Sequence, residues 1–241
     1  MSLRFFFLIS PFFLSSCTMT GYFFQAGNGQ FDLLNKRRPI AEVLQDKKTK
    51  PSVKKNLQEV DLIKKFGRKY GLEFKNNYSD YVKLDRSSVV WVVSASKPYS
   101  FEAKIWSFPV IGSFNYLGWF SKASALNFSK KLEKEGWEVY TRGASAYSTL
   151  GWFRDPILST MLPEKAEKIG SLVNVLLHES VHTTVYVNGQ SYFNESLANF
   201  VADYLTPLYL EERSPSQNSL LWYREYKKRG KVYGKELHKV Y

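Results

Sequence analysis

The stretch Leu176–His182, which reads LLHESVH, joins two apolar residues to a His-Glu-x-x-His pattern, and a carboxylate follows 13 residues later at Glu195. Residues four apart share one face of an α-helix, so His178 and His182 would present two imidazoles to the same point. Glu179 lies about 100° around the axis from His178 and would flank that point. Two imidazoles, one carboxylate and an open fourth position form the usual ligand set of a catalytic zinc ion. The stretch therefore predicts a zinc site with His178 and His182 as ligands and Glu179 as the general base.

The third ligand has few candidates, because the chain contains only three histidines and one cysteine. The remaining histidine, His238, and the cysteine, Cys17, lie near opposite ends of the chain, which leaves a carboxylate. Glu195 is the best placed if it lies on a second helix, and Asn199 then lies one turn further along the same face. The side-chain carbonyl of Asn199 is a candidate acceptor for the second N–H of a ligand imidazole, which would fix its tautomer.

Each of these two helices is predicted to pack an apolar face into a core. On the first helix the face lies opposite His178 and consists of Ile169, Leu172, Val173, Leu176 and Ser180. On the second helix the face lies opposite Glu195 and consists of Leu197, Phe200, Val201 and Tyr204. A metal site beside a core requires helices that carry the ligands on one face and apolar residues on the opposite face.

The link between the two helices carries a conflicting signal. Residues 184–193 alternate around Asn188-Gly189 as a β-hairpin does. We favour a helix that ends near Val187, a turn at Asn188-Gly189 and a second helix from about Asn194. A hairpin is the alternative, and either would return Glu195 to the metal.

The composition describes a basic globular protein of 241 residues, 44% hydrophobic, with a formal net charge of +12. This length suits one sizeable domain or two small ones, and we predict a single domain over residues 17–241. The lone cysteine excludes an intramolecular disulfide. The charge is interpreted first as a solvated surface, with attraction to anionic lipid headgroups or to an acidic polymer as alternatives. No nucleic-acid-binding module is recognisable, so nucleic acid is not a predicted partner.

Residues 1–16 resemble a signal peptide, with Arg4 as its positive charge and Phe5–Leu14 as a short apolar run. The run is too short for a stable membrane span. It leads into Leu14–Cys17 (LSSC), which resembles the lipobox of bacterial lipoproteins. That resemblance implies cleavage before Cys17, lipid attachment at Cys17 and a place in the cell envelope, and Thr18 is typical of outer-membrane sorting towards the periplasm. A plain secretory signal is the alternative.

The remaining pattern changes its period along the chain, which predicts an α+β fold. Residues 20–75 are mainly helical, with a helix start near Pro51. Four strands follow, with a helix at residues 121–135 before the last of them; the strands are predicted at residues 88–94, 105–111, 115–120 and 137–140. Residues from 217 onward form a basic helix that is predicted to break at Gly230 and Gly234.

Residues 146–153 form a further predicted strand shortly before the metal helix. Zinc peptidases typically pair the extended substrate with an edge strand, and this run is the candidate. Tyr147 would then place its phenol on the developing oxyanion. A packed core aromatic is an equally weighted interpretation of Tyr147.

Several stretches together resemble the bacterial Putative aminopeptidase family of zinc-metallopeptidase-like lipoproteins. They run along most of the chain after Cys17: residues 25–40, 89–93, 107–120, 147–162, 178–182 and 193–200. The resemblance implies a zincin-like domain of the gluzincin type, with His178, His182 and Glu195 on zinc and Glu179 as the base. Members of the family often carry cysteines where this chain has Ser107 and Ser113, so a disulfide there is absent. They also often carry leucine at the position of Ser180.

Two functions fit these observations. The first is a zinc peptidase in the cell envelope, in which Glu179 activates water and then protonates the leaving amine of a peptide substrate. Aminopeptidase is the label of the resembling family, and endopeptidase action is equally compatible. The second is a non-catalytic envelope lipoprotein that binds a partner and keeps the metallopeptidase fold. Glu179 favours the enzyme, because a structural zinc site needs no base and usually closes with four protein ligands.

Overall fold

The computed structural model describes residues 17–100, 102–108, 112–149, 153–213 and 217–240, so the predicted signal peptide lies outside the described residues. The helices are α1 (Cys17–Asn35), α2 (Ile40–Gln45), α3 (Pro51–Lys69), α4 (Lys122–Lys134), α5 (Ile169–Thr184), α6 (Ser191–Arg213) and α7 (Gln217–Val240). The strands are β1 (Arg38–Pro39), β2 (Asp80–Val82), β3 (Val90–Ser96), β4 (Trp106–Phe108), β5 (Gly112–Phe114), β6 (Leu117–Trp119), β7 (Glu138–Ala144) and β8 (Ile157–Leu158). The mixture confirms the predicted α+β class.

The central strand β3 divides the molecule between two cores. It pairs antiparallel with β6 on one side and β7 on the other. Successive side chains of a strand point to opposite faces. Val90 and Val92 therefore enter the main core, whereas Val93 and Ala95 enter a second, aromatic core under α4. The main core also holds the apolar faces of α3, α5 and α6, so it is the core that supports the predicted metal helices.

Two smaller sheets complete the strands. In one, β2 pairs antiparallel with β1 and parallel with β8. In the other, β4 and β5 form a hairpin in which Ser107 and Ser113 are directly opposed, with their hydroxyl oxygens 2.8 Å apart. A hydrogen bond therefore joins the two positions at which the resembling family carries cysteines. Residues 109–111, including Pro109 of the predicted strand, lie outside the described residues.

The predicted strand at residues 146–153 is wrong where the structure describes it, because residues 146–149 are irregular. The buried carboxylate of Asp155 organises this segment instead. It accepts hydrogen bonds from the hydroxyls of Ser148 (3.0 Å) and Thr149 (2.8 Å) and from the backbone N–H of Thr149. These bonds tie Ser148 and Thr149 to a residue six or seven positions further along the chain.

The predicted breaks in the C-terminal helix are also wrong, since α7 runs through Gly230 and Gly234. The lysine, arginine, glutamate and leucine residues around both glycines are good helix formers, and they offset the glycine cost of about 1 kcal/mol each. Among the residues that the structure describes, no helix combines the length and apolar character needed to cross a membrane.

Candidate metal centre

The back of α5 is embedded in the main core, which fixes the direction of its front. Leu172, Val173 and Leu176 are fully buried, as predicted. Ser180 is buried as well, and its hydroxyl donates to the carbonyl of Leu177 at 2.7 Å, so its polar group is satisfied inside the core. Ile169, in the first turn, is only half-buried.

Helix α5 ends at Thr184, earlier than the predicted end near Val187. The hydroxyl of Thr184 donates to the carbonyl of Ser180 at 2.7 Å and accepts from the backbone N–H of Glu73 at 2.8 Å. Val185 is already extended (φ −139°, ψ 122°). The β-branched residues Val185 and Val187 prefer extended backbone, and this preference outweighs continued helix.

A buried asparagine closes the link to α6. The side-chain amide of Asn194 accepts from the backbone N–H of Val187 at 2.9 Å and donates to the carbonyl of the same residue at 2.8 Å. Gly189 supplies the positive φ of 74° that the turn requires. The hairpin alternative is therefore not formed, and α6 begins at Ser191. This role of Asn194, which directly precedes the candidate ligand Glu195, was not predicted from the sequence.

The structure brings the three predicted ligands to one point. The Nε2 atoms of His178 and His182 lie 3.2 Å apart. One carboxylate oxygen of Glu195, Oε2, lies 3.3 Å from Nε2 of His178, and the other, Oε1, lies 3.5 Å from Nε2 of His182. A tetrahedral zinc ion with bonds of about 2.0–2.1 Å separates its nitrogen ligands by about 3.3–3.4 Å. The donor atoms therefore fit a zinc ion in both type and spacing.

The charges at this point are coupled. Hydrogen bonds with His178 and His182 hold the pKa of the Glu195 carboxyl well below its usual range. Burial lowers the pKa of His178, but the hydrogen bond with Glu195 and the nearby charge of Glu179 outweigh burial, so the pKa of His178 is raised. The side chain of Asn199 makes a further, smaller contribution to the raised pKa of His178, so it lies on the ligand side of α6, where the sequence predicted it. The Nδ1 atom of His182 is buried without a hydrogen-bond partner among the described residues.

Glu179 is adjacent to His178 on α5 and is half-buried. Burial raises the pKa of its carboxyl, while His178 and His182 oppose that rise. The negative charges of Glu195 and Asp155 raise the pKa further. A carboxyl group whose pKa is moved towards neutrality is a better proton acceptor once it is ionised.

The predicted apolar face of α6 is only partly correct. Phe200 and Tyr204 are 70% and 64% exposed, so they do not belong to the core. The buried face is rotated and consists of Asn194, Ala198, Ala202, Leu205, Thr206, Tyr209 and Leu210. The two alanines leave room for α5 and α6 to approach closely, which brings Glu195 within reach of both histidines.

Tyr147 packs against the main core, with its ring edge-on to Phe120 at a centroid distance of 5.4 Å. Burial raises the pKa of its phenol to about 12, with smaller contributions from Tyr22 and Asp155. This position matches the packed-aromatic interpretation. The catalytic role of Tyr147 stays a prediction.

A different tyrosine responds to the charges of the site. Burial raises the pKa of Tyr116, and the carboxylates of Glu195 and Glu179 raise it further, whereas Arg142 lowers it. Tyr116 directly precedes β6, an edge strand of the central sheet, and its side chain is 47% exposed. No local sequence signal marks Tyr116, because its proximity to the site depends on how the sheet packs against α5 and α6.

Comparison with known proteins gives one match. A family model described as Putative aminopeptidase matches residues 21–240, a range that includes Glu179 and all three candidate ligands. No curated protein matches the chain, and no solved structure does.

Proposed function

Because the chain belongs to the Putative aminopeptidase family, we propose that it is a zinc-dependent peptidase with a zincin-like fold of the gluzincin type. The observation that carries this proposal is the convergence of His178, His182 and Glu195, whose donor atoms lie 3.2–3.5 Å apart. A zinc ion held by these residues would acidify a water molecule and polarise the carbonyl of the scissile peptide bond.

Glu179 is the proposed general base. Its half-buried carboxylate interacts with the charges of both histidines, and its raised pKa favours uptake of a proton from water. The same proton then passes from Glu179 to the amine that leaves. These two proton transfers require a carboxyl group that changes between its ionised and its protonated form. Partial burial raises the pKa of a carboxyl group, which makes the protonated form accessible.

Tyr116 is the proposed donor to the carbonyl oxygen as negative charge develops there. Its pKa lies above the ordinary tyrosine value of about 10, so the phenol is protonated at neutral pH and its hydroxyl can donate a hydrogen bond. The nearby carboxylates of Glu179 and Glu195 support its place beside the reacting centre. In this proposal Tyr116 takes the role that the sequence suggested for Tyr147.

We also propose that lipid attached at Cys17 anchors the protein in the cell envelope, at the outer membrane facing the periplasm. The support is the signal-peptide pattern of residues 1–16 and the lipobox-like sequence that ends at Cys17. Intact-mass measurement of protein extracted from membranes would show the lipid on Cys17. An unmodified Cys17 in the mature protein would contradict the anchor.

The test of the peptidase combines metal analysis with two substitutions. We expect about one zinc per chain in the wild type and none in His178→Ala. Glu179→Gln should keep its zinc and lose peptide hydrolysis, because the amide cannot take up the proton. Hydrolysis is measured on peptides with free and with acetylated N-termini, and cleavage of the free peptides alone would identify an aminopeptidase.

The opposite results would contradict the proposal. Wild-type turnover in Glu179→Gln would remove the general-base role. Failure of the wild type to take up zinc, even on reconstitution, would refute the metal centre. The non-catalytic lipoprotein would then become the better interpretation of the fold.

A further inference from the structure

The second half of α7 is exposed to solvent, and only one of its sides flanks α6, where Lys231 and Lys235 line a groove with Asp203 and Pro207. Every side chain from Lys228 to Lys239 is exposed, over more than three helical turns. Isolated helices of this length are marginal in water, and Gly230 and Gly234 weaken this one further. A helix that the core does not stabilise needs another surface to stabilise it.

Two opposed stripes run along α7. Aromatic and aliphatic residues recur at helical spacing on one side: Trp222, Tyr226, Tyr233 and Leu237. The rings of Trp222 and Tyr226 stack at 5.2 Å, and Tyr233 is 68% exposed. Most of the basic residues occupy the opposite side, while Arg229 lies at the edge of the aromatic stripe; the residues on the opposite side are Arg224, Lys228, Lys231, Lys235 and Lys239. An amphipathic helix with a basic polar face and aromatic residues on its apolar face is typical of helices that lie in a membrane interface.

Helix α3 is basic like α7, but its apolar residues lie in a different environment. Helix α3 is also basic, and Lys55 and Lys65 are exposed on its outer side. Its apolar residues, Leu57, Val60, Ile63 and Phe66, are all buried in the main core. Helix α3 therefore has a solvated basic face and no apolar face to insert, whereas α7 has both.

We propose that the exposed half of α7 lies on the surface of an anionic lipid bilayer, with Tyr233 and Leu237 inserted among the headgroups. Tyrosine suits this depth, because its ring is apolar and its hydroxyl remains hydrated. A helix is about 10–12 Å wide with its side chains. This width exceeds the Debye length of about 8 Å at physiological ionic strength, so the attraction between the basic stripe and the anionic surface is reduced by screening but not abolished. The inference goes beyond the proposed peptidase activity and does not depend on it.

The charge of the segment favours a bilayer over a second copy of the chain. Glu236 is the only acidic residue between Lys228 and Lys239, and it pairs with Lys239 at 2.7 Å. Lys231 and Lys235 have no acidic partner within the part of the chain that the structure describes. Two such helices side by side would repel each other, whereas an anionic surface complements both.

The experiment uses residues 17–241 with Cys17→Ser, so that attached lipid cannot contribute to binding. Co-sedimentation with vesicles of mixed phosphatidylglycerol and phosphatidylcholine should show binding, and pure phosphatidylcholine should bind much less. Lys231→Glu with Lys235→Glu should weaken binding by roughly tenfold, because each substitution replaces a positive charge with a negative one and the attraction is already reduced by screening. The matched control, Lys55→Glu with Lys65→Glu, makes the same charge change on α3 and should alter binding by less than about threefold.

A second measurement follows the position of the helix directly. The chain has one cysteine, so Cys17→Ser leaves a background in which Leu237→Cys can carry a single polarity-sensitive dye. The dye should move to an apolar environment on anionic vesicles, and a dye at Lys55→Cys should not. Equal loss of binding in both charge variants, or an unchanged signal at position 237, would overturn the proposal. A dimer that the α7 substitutions dissociate would overturn it as well, because a second copy would then cover this face.

Discussion

The front and the back of α5 show how one helix can carry two independent properties. The back consists of aliphatic side chains such as Leu172 and Leu176 that no water reaches. The front presents His178 and His182, whose Nε2 atoms face each other at 3.2 Å. The back contributes stability through burial, and the front contributes chemistry through position. The comparison teaches that substitutions on the two faces should separate these properties.

The largest expected effect is on the back. Leu176→Ala should lower the free energy of unfolding by about 2–5 kcal/mol, because it removes buried apolar contacts and leaves a cavity. Denaturant titration of the metal-free protein measures this change. Leu126→Ala is the matched control, since Leu126 on α4 is 43% exposed, and it should change stability by less than about 0.5 kcal/mol.

The comparison also predicts what Leu176→Ala leaves unchanged. Activity per folded, zinc-loaded molecule should stay close to that of the wild type, because Leu176 points away from the ligands. A variant that folds fully but has lost turnover would show that the two faces are coupled.

The second-largest effect concerns which tyrosine outside α5 and α6 takes part in the reaction. Tyr116→Phe should lower kcat by about a hundredfold, which is the effect of removing one donor to a developing oxyanion. Tyr147→Phe removes the same hydroxyl from a tyrosine packed against the core and should leave kcat nearly unchanged. Steady-state kinetics of both variants on one peptide substrate decides between them. The opposite pattern would restore Tyr147 to the role that the sequence suggested.

Local periodicity made the centre of the site predictable from sequence. The spacing of His178 and His182 defines one helix face, and the scarcity of histidine and cysteine directs attention to Glu195. The helix starting at Pro51 and the helix that follows Ser121 were predictable for a similar reason. Proline favours the first turn, and the Ser121 hydroxyl caps the helix by accepting from the backbone N–H of Ser124 at 3.3 Å.

What the sequence did not predict depends on contacts between distant segments. Phe200 and Tyr204 have apolar character, yet the two alanines of α6 face the core because only small residues let the helices approach. The segment at residues 146–149 has strand-like composition, yet it is irregular and is held by hydrogen bonds to the carboxylate of Asp155. The proximity of Tyr116 to Glu195 follows from the packing of the central sheet, which no periodicity in the sequence encodes.

The smallest expected effect is a pH dependence of stability, which arises from His178 on the front of α5 and from its partner Glu195 on α6. The pKa of His178 is raised above 6.5, so its contribution to stability is fully present below pH 6.5 and is lost as the pH rises through the raised value. The pKa of Glu195 is lowered from 4.5, so its contribution is present above pH 4.5 and is lost as the pH falls through the lowered value. In the metal-free protein, Glu195→Gln should therefore lower Tm most between pH 4.5 and 6.5. Glu195 is 55% exposed to solvent, so the effect should stay below about 1 kcal/mol.

A second glutamate on α6 provides the control for this pH dependence. Glu211 pairs with Arg224 at 2.8 Å on the exposed side, and a guanidinium keeps its charge throughout this pH range. The Tm difference for Glu211→Gln should therefore stay constant from pH 5.5 to about pH 8.5, while the difference for Glu195→Gln shrinks. Thermal unfolding in the presence of a chelator measures both differences. Parallel behaviour of the two variants would mean that the charge on His178 does not stabilise the metal-free front, and that the back of α5 alone holds the ligands in place.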